Sequence, residues 1–184
     1  MPTVFTHAVA GAALGAAFWR PEVPARVWVA GAVCAALPDV DALGLYAGIP
    51  YGHVLGHRGL THSLPFAAAL AALAAVALAP TVAELPRALL WLYLFLATAS
   101  HGVLDALTNG GLGVAFLAPF SDARYFFPTR PIAVSPIGVR ALLSPRGLAA
   151  LASEVRWVWL PSVAFALLAL AARKWWLAGA PRPA

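Results

Sequence analysis

Apolar residues run along this chain in five long stretches, and the polar residues gather at their ends. The first stretch covers residues 3–19 and stops at Arg20-Pro21. The second begins at Val27 and continues to about residue 45, interrupted by Pro38-Asp39-Val40-Asp41. The third, 63–80, carries Pro65 in its first turn, where a missing N–H does no harm. The fourth covers 88–107, and the fifth, 155–172, is closed by Arg173-Lys174. A helix needs about 20 apolar residues to cross a bilayer, with a range of roughly 17–25. The pattern predicts an all-α polytopic transmembrane bundle of four or five spans, forming one integral membrane domain over residues 1–184. Alanine and glycine dominate the first and third stretches, as in Ala10-Gly11-Ala12-Ala13-Leu14-Gly15. Such small residues let membrane helices approach closely. Residues 109–154 sustain no helical period and are rich in Pro, Gly, Phe and Arg. Loops of this length inside a compact domain are usually functional or disordered. Phe116, Phe120, Tyr125, Phe126 and Phe127 favour an ordered cap at the membrane interface.

Composition sharpens this picture. The chain is 62% hydrophobic and only 10% charged, against about a quarter charged in soluble domains. It has too few polar groups to cover a water-facing surface, so its solvent is a bilayer. The net charge of +5 comes from twelve scattered basic residues. No basic run interleaves with exposed aromatics, which excludes a nucleic-acid groove. The single cysteine, Cys34, rules out an intrachain disulfide. No Lys or Arg precedes Arg20, so the first stretch reads as a retained span rather than a cleaved signal.

The placement of the ionisable residues carries the chemistry. His7 lies near the start of the first stretch and Asp39 and Asp41 near the end of the second. His57 and His62 immediately precede the third, and His101 and Asp105 close the fourth. Counting crossings, the start of span one, the end of span two, the start of span three and the end of span four share one side of the membrane. Four separate pieces of chain therefore bring imidazoles and carboxylates to one level. His101 and Asp105 are four apart and share a helix face. Taken singly, His7 is compatible with helix packing, and Asp39, Asp41, His62 and Ser63 with helix capping. Taken together they predict a divalent-metal site. Imidazole and carboxylate suit zinc, bound as one or two ions, and charge inside a membrane marks function by default.

The same segments carry a family resemblance. Pro38-Asp39-Val40-Asp41, His57-Arg58-Gly59-Leu60-Thr61-His62-Ser63 and His101-Gly102-Val103-Leu104-Asp105-Ala106-Leu107-Thr108-Asn109-Gly110 follow its pattern, as does Pro119-Phe120-Ser121-Asp122-Ala123-Arg124-Tyr125-Phe126-Phe127-Pro128. Together they resemble the YdjM-like family, bacterial inner-membrane proteins described as LexA-regulated, metal-dependent hydrolases. The resemblance implies a metal-dependent hydrolase of the inner membrane, with ligands at His57, His62, His101, Asp105 and the Asp39/Asp41 pair.

The resulting expectation is metal-assisted hydrolysis of a phosphoester or other ester of a lipid-like substrate. His7, Asp39, Asp41, His57, His62, His101 and Asp105 are the candidate ligands. Asp39 or Asp41 serves alternatively as general base, with Arg58 assisting. Arg58, Arg124 and Arg130 are candidate anchors for an anionic group, whose oxygens match the guanidinium fork. The alternative is a metal-binding membrane protein that transports or senses an ion without cleaving a bond. Transport needs polar groups near the bilayer midplane, whereas here they crowd one end.

Overall fold

The computed structural model describes residues Met1–Gly179; the last five residues of the expected domain, 180–184, lie outside it. Five helical segments form an up-and-down bundle: α1 (Val4–Phe18), α2 (Arg26–Tyr46), α3 (Leu64–Thr81), α4 (Arg87–Ala106) and α5 (Pro145–Leu177). The last four are long and apolar enough to cross a membrane, and α1 is shorter. This is the transmembrane bundle that the hydropathy pattern predicts.

Two local departures have clear causes. The second span does not break at Pro38. The helix tightens to a 3-10 run over Leu37–Ala42, with the proline in its first turn, and relaxes to α over Leu43–Tyr46. A proline cannot donate the i→i−4 bond, and the 3-10 winding absorbs that gap. Asp39 and Asp41 therefore sit on a helical turn, not in a loop. The second departure corrects the expected 109–154 loop. Its irregular part ends at Gly138, a single helical turn follows at Val139–Leu142, and α5 begins at Pro145. Ser144 caps α5 by accepting from Gly147 N–H at 3.2 Å, and proline occupies its first turn. A π-helical turn, Val155–Trp159, lies within α5.

Small residues set the spacing of the bundle. Gly11 on α1 faces Gly31 and Ala35 on α2 so closely that a Cβ at Gly11 would overlap the Ala35 methyl. The Tyr93 ring from α4 fills the space over Gly31 and Gly15, and its hydroxyl donates to the Gly11 carbonyl at 3.1 Å. Val27, Ala35, Ala71, Leu90, Leu94 and Ala97 complete a dry core around it. α3 starts at Ser63, whose Oγ accepts from Phe66 N–H at 3.1 Å.

α5 is latched to α1 by a buried polar cluster. The Glu154 carboxylate is fully buried and accepts from Thr3 N–H at 2.9 Å, Thr3 Oγ1 at 2.6 Å and Thr6 Oγ1 at 2.5 Å. Trp159 Nε1 donates to Thr6 Oγ1 at 2.7 Å. At the opposite end of the bundle Arg173 Nε donates to the Trp19 carbonyl at 3.2 Å.

The segment 108–138 folds back over the end of the bundle where α1 and α3 start and α2 and α4 finish. Bridges pair Thr108 with Ile132 and Val114 with Tyr125. Leu64 N–H donates to the Phe116 carbonyl at 2.9 Å and Ala115 N–H to the Arg58 carbonyl at 3.0 Å. The cap is held by buried Val114, Ala115, Ala118 and Ile132 and by these backbone bonds, while Phe120, Tyr125 and Phe127 are exposed.

Candidate metal centre

Beneath that cap lies a cluster of ionisable side chains from α1, α2, α4 and the turn before α3. His7, His57, His62, His101, Asp41 and Asp105 are all buried, and Asp39 is nearly so. The centre of the cluster is a pair of imidazoles. His101 Nε2 and His62 Nε2 stand 2.9 Å apart. Asp39 Oδ1 lies 3.3 Å from the first and 3.8 Å from the second. Asp105 Oδ2 lies 3.4 Å from His62 Nε2, and Asp105 Oδ1 lies 3.6 Å from His7 Nε2. The His7 ring stacks on His101 with centroids 3.6 Å apart.

The outer partners determine which nitrogens are free. His101 Nδ1 lies 2.7 Å from the Ala35 carbonyl, which can only accept, so Nδ1 carries the proton and Nε2 presents its lone pair. His62 Nδ1 faces the Asp41 carboxylate at 3.0 Å and is likewise the donor. Two nitrogens facing each other at 2.9 Å need a positive charge between them. A proton on His62 supplies it. Burial alone would lower the His62 pKa, but hydrogen bonds to Asp105 and Asp41 outweigh burial and raise it to about 9. Both oxygens of Asp39 and both ring nitrogens of His7 have no hydrogen-bond partner, whereas Asp105 Oδ2 faces Arg58 Nε at 2.9 Å. Buried polar atoms are almost always paired, so this concentration of orphaned donors and acceptors fits a cation held among them.

Asp41 and His57 stand one step outside that centre. Asp41 receives His57 Nδ1 at 2.7 Å, Thr61 Oγ1 at 2.5 Å and His62 Nδ1 at 3.0 Å. Its oxygens are thus occupied by protein donors, in the manner of the carboxylates that orient ligating histidines. The groups Asp39–His62–His101 and His7–His101–Asp105 each place one ligand atom per residue within 4.8 Å of one another, and so does Asp41–His57–His62.

Two of the three arginines, Arg58 and Arg124, are engaged by the protein itself rather than free for a substrate. Arg58 is fully buried and adopts a left-handed backbone, φ 64°. Its Nε lies 2.9 Å from Asp105 Oδ2, and Nη1 and Nη2 donate to the Gly110 carbonyl at 2.8 Å and Thr108 Oγ1 at 2.9 Å. A non-glycine residue at positive φ is costly and persists only where its surroundings over-determine it; these contacts do so. Arg124 donates to the carbonyls of His57 at 3.1 Å and His53 at 3.2 Å, pinning the cap to the 51–57 turn. Burial lowers its pKa and raises that of Tyr51. Arg130 is exposed, with its guanidinium over the Phe126 ring at 4.8 Å. The guanidiniums of Arg58 and Arg124 face protein partners rather than open space.

Glu154, with Thr3 and Thr6, is the buried polar group that reading the sequence did not single out. Its signal was present: a carboxylate beside an apolar stretch, subject to the same reasoning as Asp105.

The fold and this cluster define a class: a helical integral membrane protein with a buried histidine–aspartate centre at one end of its bundle. Comparison with known proteins identifies the family. The model of the YdjM inner membrane protein family matches residues 1–177, and the chain belongs to that family. It is 40% identical over 177 residues to "Inner membrane protein YbcI" of Escherichia coli (strain K12), covering 96% of this chain and 98% of that protein. No solved structure matches. The protein is an inner-membrane protein, as the resemblance in its sequence implied.

Proposed function

We propose that the protein is a metal-dependent hydrolase that cleaves an ester bond presented from the membrane. The observation that carries this reading is the facing pair His62 Nε2 and His101 Nε2, with Asp39 beside them, each imidazole oriented by a protein acceptor on its other nitrogen. His62, His101 and Asp39 would hold the ion, with Asp105 and His7 at its edge. This donor set suits zinc. His62 Nε2 and His101 Nε2 face each other, and of the three candidate groupings only Asp39–His62–His101 contains both rings. That favours one principal ion. A divalent ion in such a place supplies Lewis acidity and a water-derived nucleophile at neutral pH.

The chain's own groups do the rest. Asp41 holds His62 and His57 in one tautomer through two short contacts. Asp105, charge-balanced by Arg58 at 2.9 Å, offers an oxygen that can accept a proton from water. The cap excludes bulk water and so strengthens every electrostatic interaction beneath it.

Passage of an ion through the bundle is disfavoured by the core. Val27, Ala71, Leu90, Leu94 and Ala97 separate the cluster from the far end. The test is elemental analysis of the detergent-purified protein beside His62→Ala and Asp39→Ala. A panel of acyl esters and phosphoesters is then assayed after chelation and metal return. We expect bound metal that falls in both variants and ester cleavage that follows metal content. Fully loaded protein that cleaves nothing on the panel refutes the enzyme, and unchanged metal in both variants refutes the centre.

A further inference from the structure

Beside the cluster, on the outer side of α1 and α2, lies an open cavity of about 620 Å³. Its walls are Val4 and Phe5 of α1, Val33, Leu37 and Leu43 of α2, and Ile137 from the cap. Pocket-forming sites for small ligands have volumes of roughly 300–1,000 Å³. At about 30 Å³ for each water-sized group, the cavity has room for roughly twenty methylenes, a single long acyl chain. Besides the hydroxyl residues Thr3 and Ser135, its apolar wall includes one ionisable side chain, Asp39. The Asp39 side chain is only 7% exposed, and neither of its oxygens has a hydrogen-bond partner. Oδ1 lies 3.3 Å from His101 Nε2. Asp39 therefore lines the groove as a residue while its buried carboxylate faces the metal-capable triad.

We infer that this groove holds the acyl chain of a membrane amphiphile, with the polar, ester-bearing end of that molecule at Asp39. The inference deepens the hydrolase reading and rests on it for the reaction, though not for the binding. Three features argue for an acyl chain over another occupant. The groove opens onto the side of an inner-membrane bundle, where the surrounding solvent is itself hydrocarbon. It is continuous with the exposed apolar row Val29 and Val33 of α2, 62% and 55% exposed. Asp39 stands among Val33, Leu37 and Leu43 along α2, so a chain lying against these residues brings its polar end within reach of the centre without leaving the groove. Entry is then lateral, from the bilayer, while the cap closes the end of the bundle.

The test uses a long-chain monoacylglycerol bearing a diazirine in mid-chain, photolysed with the full-length protein in phosphatidylcholine liposomes and mapped by mass spectrometry. Labels are expected on Val33, Leu37 and Ile137 in excess over Leu73 of α3 and Leu168 of α5, which are more exposed but line no such groove. Val33→Trp and Ile137→Trp, which fill the groove from α2 and from the cap, are each expected to lower that labelling about tenfold. That is the change expected when roughly two methylenes lose their burial. Retained metal content serves as the check on folding. Labelling equal on all apolar faces, or untouched by both variants, overturns the inference. If the groove labels selectively but no ester is cleaved, the binding site stands and the hydrolase reading fails. If esters are cleaved without chain-length preference and labelling is uniform, the hydrolase stands and the groove fails.

Discussion

Replacing Asp41 by Asn tests the division of the cluster into an ion-holding centre and an orienting shell. The carboxylate receives His57 Nδ1 at 2.7 Å and His62 Nδ1 at 3.0 Å, so both imidazoles present N–H to it. Asparagine keeps the shape but accepts through one oxygen only, and its NH₂ must confront one of the two rings. One charge-assisted hydrogen bond is lost and another weakened. Hydrogen bonds to charged groups are worth about 1.5–3 kcal/mol, which corresponds to roughly 10–100-fold in metal affinity, the range seen for orienting carboxylates. Competition titration against a chromophoric chelator measures the affinity, and elemental analysis at saturating metal gives the stoichiometry. The expected result is weaker binding at unchanged stoichiometry. Asp39→Asn, whose oxygens have no protein donor, is expected to lose more affinity than Asp41→Asn. Wild-type affinity in Asp41→Asn, or loss of all metal at saturation, refutes the assignment.

Further outcomes follow from the same geometry. Glu154→Ala leaves two threonine hydroxyls and the Thr3 N–H without their acceptor, and is expected to destabilise the bundle by about 2–4 kcal/mol, read as a lower thermal midpoint in detergent. Glu154→Gln, which keeps an acceptor oxygen, is expected to lose less. Gly31→Ala drives a methyl into the Tyr93 hydroxyl, costing about 1–3 kcal/mol of stability; a midpoint unchanged from wild type refutes the close packing of α1, α2 and α4. Chelation is expected to lower the thermal midpoint of the wild-type protein, because an ion at about 100 times its dissociation constant stabilises by about 2.7 kcal/mol. The same treatment of His62→Ala is expected to produce little shift.

Much of the bundle was legible because membrane spans announce themselves by length and polarity. The alternation of crossings then brings His7, Asp39, His62, His101 and Asp105 to one end, and the structure places them there. Other features were hidden because they depend on details of packing and backbone. The start of α5 lies in a stretch whose helical period is masked by Arg146 and Gly147, although Ser144-Pro145 is a recognisable helix start. Pro38 read as a break because a sequence does not show that a helix will tighten around it. Arg58, Arg124 and Arg130 read as anion anchors because a loop arginine normally faces water. Only the fold reveals that the first is buried against Asp105 and the second clasps backbone carbonyls.

The Arg58 guanidinium touches three things at once: the carboxylate of Asp105, the Thr108 hydroxyl and the Gly110 carbonyl. It thereby makes the end of α4 and the first turn of the cap a single mechanical part. Any displacement of the 108–110 turn would therefore carry the countercharge of Asp105 with it.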